Sequence, residues 1–89
     1  MQDIGFTMHI FKEGPAYVAY VPELDLSSCG DTAEAARANM RDAVQGFLET
    51  TEEMGTLTEI LQEAGYRHEG KRWLSPEFVS LDRLTLTLK

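Results

Sequence analysis

The sequence predicts a small α+β domain with a β-β-β-α(α)-β order of elements, an antiparallel sheet carrying one long helix on a face. Three observations predict it. Apolar residues recur with a period of two through roughly the first thirty positions, the period changes to 3.6 at Gly30-Asp31-Thr32, and a period of two returns near the end of the chain. At 89 residues the chain is expected to form one domain around one core, with its main body over 5–54, a short second helix over 56–65 and a β-rich tail over 66–89.

Over 5–11, Phe6, Met8 and Ile10 alternate with Thr7, His9 and Phe11, which predicts a strand with one face on the core. Lys12-Glu13-Gly14-Pro15 is the turn after it. Pro15 cannot donate to a ladder, so it starts the neighbouring antiparallel strand, 16–21. Pro22 interrupts, and Leu24 and Leu26 alternate with Asp25 and Ser27 in a third strand expected to end near Cys29.

Asp31 or Thr32 is the expected N-cap of the long helix, with Glu34 three residues after Asp31 in capping-box position. Ala36, Met40, Ala43, Val44, Phe47 and Met54 form the expected packing stripe, Glu49, Glu52 and Glu53 face elsewhere, and Gly55 is the expected stop. Thr56-Leu57-Thr58-Glu59 spells a second capping box for a short helix that ends at Gly65. A hairpin centred on Gly70 is expected over 66–74. Leu84, Leu86 and Leu88, alternating with Thr85, Thr87 and Lys89, give the clearest strand signal in the chain.

Composition narrows the function. Apolar residues make up 43% of the chain, its apolar runs are short and its start lacks the order of a signal peptide, so a folded cytoplasmic protein is expected, neither membrane-spanning nor secreted. The single cysteine, Cys29, fits a reducing compartment. The net charge of −7 is uneven: residues 1–65 hold twelve acidic against three basic side chains, and residues 66–89 three against five. An acidic body disfavours direct nucleic-acid binding, which draws its affinity from clustered Lys and Arg, and suits a basic protein partner.

The stretch Ala16-Tyr17-Val18-Ala19-Tyr20-Val21-Pro22-Glu23-Leu24-Asp25-Leu26, followed by Cys29-Gly30-Asp31-Thr32-Ala33-Glu34-Ala35 and a helix with Asn39 and Ala43, resembles the signature of the HicB-like antitoxins. The resemblance covers residues 5–54. It implies a core similar to a truncated RNase H fold, homo-oligomers such as dimers or tetramers, and neutralisation of a small basic mRNA-cleaving toxin of the HicA type. Many members also carry a ribbon-helix-helix or helix-turn-helix module. Here the tail reads as strands, so operator binding by this chain alone is not expected.

Chemistry is expected to be absent. Glu23, Asp25 and Asp31 cluster in sequence as the metal-binding carboxylates of RNase H enzymes do, but Asp31 is read as a cap and no further acid stands at an obvious ligand position. His9 and His68 have no motif partners, Cys29 has no adjacent histidine, and no phosphate loop or other cofactor motif is present, so no catalytic residue, metal or cofactor is assigned. Trp73, beside Arg67, Lys71 and Arg72, offers either a base-stacking platform or, more commonly, a core anchor. The expected mechanism is masking: Glu23, Asp25, Glu49, Glu52 and Glu53 meet a basic partner, with Tyr17 and Tyr20 as anchors; the alternatives are an orphan HicB-like oligomeric protein-binding domain without a toxin partner and a nucleic-acid-binding regulator acting through the basic tail at Arg67, Lys71 and Arg72.

Overall fold

The structure is a computed structural model that describes residues 3–89. Strands β1 (His9–Glu13), β2 (Ala16–Val21) and β3 (Leu26–Gly30) form an antiparallel sheet in the order β1-β2-β3, followed by α1 (Ala33–Met54) and α2 (Leu57–Glu63). Strands β4 (Arg67–Glu69) and β5 (Arg72–Leu74) form a separate two-stranded sheet. The class is therefore α+β, with the strands after α2 standing apart from the main sheet. No helix among the described residues is long and apolar enough to cross a membrane.

The first strand is shorter than the alternation suggested, and its register explains why. His9 pairs with Tyr20, so Thr7 would fall opposite Pro22, which has no N–H and begins the turn Pro22-Glu23-Leu24-Asp25. The side chain of Glu23 takes the place of a strand partner: both carboxylate oxygens accept from the Thr7 N–H, at 3.1 and 3.0 Å. Leu24 and Asp25 accordingly belong to this turn and not to β3, and Asp25 takes a positive φ of 53°. Alternation still fixes the faces, since Phe6, Met8 and Ile10 all pack on the core.

Helix α1 lies over β3 and β2 and scarcely reaches β1. Its close approach requires Gly30, where a Cβ would stand 2.6 Å from the Ala36 nitrogen and 2.8 Å from Ala35. The cap belongs to Thr32, whose Oγ1 accepts from the Ala35 N–H at 3.0 Å, so Asp31 sits one residue ahead of the cap and Glu34 falls short of the capping-box position. The buried row runs Ala36, Met40, Val44 and Thr51, with Leu48 packed beside it. Ala43 and Met54, both expected on this row, are exposed, because four-residue steps from Ala36 carry the packed face past them. Thr51 is tolerated in the interior because its hydroxyl donates to the Phe47 carbonyl at 2.8 Å.

Both helices end in Schellman motifs. Thr56 N–H donates to the Thr51 carbonyl past Gly55, and Tyr66 N–H donates to the Leu61 carbonyl past Gly65, whose φ of 94° needs a residue without Cβ. The second motif places Tyr66 against Leu61, and with Trp73 these form a second buried cluster. The expected capping box of α2 is not made: Thr56 uses its hydroxyl on the Thr51 carbonyl instead. Phe6 packs against both clusters and joins them. After Leu74 the chain has no regular secondary structure, so residues 84–88 form no strand within this one chain.

Candidate functional site

The acidic positions fall into two places with different surroundings. At the lower end of the sheet, Glu23 is half-buried and held by Thr7, and Asp25 is exposed and accepts from the Tyr20 hydroxyl at 2.9 Å. That hydrogen bond, then slight desolvation and the Asp25 charge, raise the Tyr20 phenol above its ordinary value. Glu23 lies near Tyr66, whose phenol is pushed up by burial first and by the Glu23 charge second. The Tyr66 hydroxyl donates to the Gly5 carbonyl. Glu23 thus secures the N-terminal segment and is already engaged within the chain.

Tyr17 and Tyr20, the expected partner anchors, lie on β2, which has a strand on each side, and both are half-buried. Tyr17 faces α1, packs on the core and carries the Lys12 ammonium 5.7 Å above its ring. Tyr20 faces the other way. It lies on the sheet face that α1 does not cover, with the His9 ring 6.3 Å away and Phe11, 50% exposed, on the same face.

The second acidic place is an open groove of about 680 Å³ between α1 and the N-terminal segment. Ile4, Leu48 and Leu57 supply its apolar lining, and Asp3, Glu49 and Glu52 supply three carboxylates. Gln45 steadies Glu49, donating to its carboxylate at 2.9 Å one helical turn away. Glu53 is exposed on α1 outside this lining. Sequence reasoning found Glu49 and Glu52 but missed Asp3 and Ile4, which reach the groove because Phe6 and Ile4 fold the N-terminal segment against the second cluster, and Leu57, which the start of α2 supplies. A smaller hollow of about 210 Å³ shares Glu52 and Leu57 and continues to His68 and Trp73.

The remaining chemical candidates are separated. Glu23, Asp25 and Asp31 occupy a hydrogen-bonded turn position, an exposed turn position and the residue before the cap of α1, and among the described residues no group of three or more His, Cys, Asp or Glu is placed to hold a metal ion. Cys29 is exposed on β3. His68 stacks on Trp73 with centroids 4.2 Å apart, and Trp73 is buried, so the indole serves the second cluster. Comparison with protein-family models, with curated proteins and with solved structures finds no match for this chain.

Proposed function

We propose that this chain is a cytoplasmic protein-binding module of the HicB-like antitoxin type, without chemistry of its own, that masks a small basic partner such as a HicA-type mRNA interferase. The observation that carries the reading is the groove beside α1, where three carboxylates surround an apolar floor in a body whose first 65 residues are strongly acidic. A cationic amphipathic segment matches both properties: its apolar side meets Ile4, Leu48 and Leu57, and its Arg or Lys side chains meet Asp3, Glu49 and Glu52. Long-range attraction from the acidic body would speed encounter, and the floor would slow release. The engagement of Glu23 by Thr7 weighs against a metal-dependent nuclease. A nucleic-acid reading through Arg67, Lys71 and Arg72 has its cations but lacks a free stacking surface, since Trp73 is buried.

The test is titration of the chain with the short basic protein encoded by a neighbouring gene, at low and physiological salt. Glu49→Lys with Glu52→Lys is expected to weaken binding by about tenfold or more, mainly through slower association, and to flatten its salt dependence. Absence of such a neighbour, or affinity indifferent to both reversals, overturns the reading.

A further inference from the structure

Among the described residues eight large apolar side chains are exposed, and six of them, Phe78, Val79, Leu81, Leu84, Leu86 and Leu88, lie in the segment after β5. Leu84, Leu86 and Leu88 are 81, 79 and 97% exposed and alternate with Thr85 and Thr87. That is the pattern of a strand with one buried face, on a backbone that has no ladder. The Cα radius of gyration, 15.3 Å, exceeds the roughly 12 Å of a compact chain this long.

We infer that residues 84–89 of one copy dock as an additional strand on the β1 edge of a second copy, and that two chains exchange these segments reciprocally. The choice of edge follows from the sheet. The outer side of β3 is covered by α1, and Asn39 Nδ2 already donates to the Cys29 carbonyl at 2.8 Å. At the other end of the sheet, β1 has no outer neighbour among the described residues and little helix above it, so its outward backbone groups and the half-buried Ile10 are open to a partner.

A second copy is favoured over the chain's own sheet by reach. Ser75 lies beside Gly5 and Pro76 against Gly65, so the segment leaves the body beside the residues that lead into β1. No turn or bend interrupts residues 77–89. Running extended beside its own N-terminal segment, the chain from Pro76 to Leu84 covers about 26 Å. That length brings Leu84 level only with Glu13, where β1 ends, and carries the leucines past their own sheet. On a second copy they have a full edge.

The leucine row would then continue the core face beside Ile10, with Thr85 and Thr87 beside Phe11 on the open face. Arg83 and Lys89 flank the leucines with no acid between them, against a body that is acidic over residues 1–65. Three leucines per tail, at about 100 Å² of apolar surface each, bury on the order of 600 Å² from the two tails, and an equal area of covered acceptor surface brings the total to roughly 1,200 Å², the lower end of the range of stable interfaces.

Sedimentation of the full chain at about 50 μM, some fifty times a micromolar dissociation constant, is expected to show a dimer. Leu86→Asp lies outside both cores, so it should preserve the helical circular-dichroism signal while raising the dimer dissociation constant about 100-fold or more, because each dimer loses two buried leucines. In a Cys29→Ser background, Phe11→Cys with Thr87→Cys should form disulfides between tagged and untagged copies on mixing. A monomeric wild-type chain, a dimer indifferent to Leu86→Asp, or disulfides confined within single chains would overturn the proposal, the last by showing that the strand docks on its own sheet.

Discussion

Glu23 and Tyr66 hold the N-terminal segment at the two ends of the same three residues, one accepting from the Thr7 N–H and the other donating to the Gly5 carbonyl. Both satisfy backbone groups that no strand reaches. Because burial and the Glu23 charge raise the Tyr66 phenol above its ordinary value, the folded state keeps this proton after the unfolded chain has released it. The resulting stabilisation is fully present below about pH 10, the ordinary tyrosine value, and is lost as pH rises towards the folded-state value. Urea unfolding from pH 7 to 11 should therefore show stability falling above about pH 10. Tyr66→Phe should flatten that slope and cost about 1 kcal/mol at neutral pH through the lost hydrogen bond. Tyr20→Phe should have the smaller effect on the slope, since the hydroxyl end of this half-buried side chain is open to solvent.

At the scale of elements, α1 is positioned by its beginning. Gly30 lets the first turn settle on the end of β3, Thr32 closes that turn, and Asn39 returns to the Cys29 carbonyl one level further along. Asp31 takes no part in the cap hydrogen bond. Thr32→Ala is thus expected to cost about 1 kcal/mol, and Asp31→Ala less than about 0.5 kcal/mol, in urea denaturation at pH 7. Equal costs would show that the two residues share the cap. The opposite end of α1 has no basic side chain in its last turn, where Glu52 and Glu53 sit against the unfavourable end of the helix dipole, with Glu49 in the turn before. Carboxylates kept at such a position suit a partner that supplies the missing positive charge.

Across the whole molecule, two buried clusters depend on one bridging residue. Phe6 packs against the cluster that holds Ala19, Val21 and Met40 on one side and lies 5.6 Å from the Tyr66 ring on the other. Phe6→Ala should destabilise the protein by about 3 kcal/mol. It should also speed amide exchange in β4 and β5 more than in α1, because the smaller cluster has only Leu61, Tyr66 and Trp73 at its centre. Uniform acceleration would mean that the clusters remain one cooperative unit. The same N-terminal segment walls the acidic groove, so loosening it should weaken partner binding without altering any of the carboxylates on α1.

Local pattern alone determined the three-strand hairpin order, the long helix with its stop at Gly55, the second helix and the turn at Gly70, because alternation, helical spacing and glycine placement act between near neighbours. The acids Glu49 and Glu52 were likewise legible as an exposed helical face. Tertiary structure decided what those elements met. It placed Pro22 opposite Thr7 and so ended β1 early, gave the cap to Thr32, turned Tyr17 towards the core, and brought Asp3, Ile4 and Leu57 to the groove from distant parts of the chain. It also left the most regular alternation in the sequence, Leu84 to Leu88, without a ladder, because periodicity specifies which face of a strand is apolar but not which edge will pair with it.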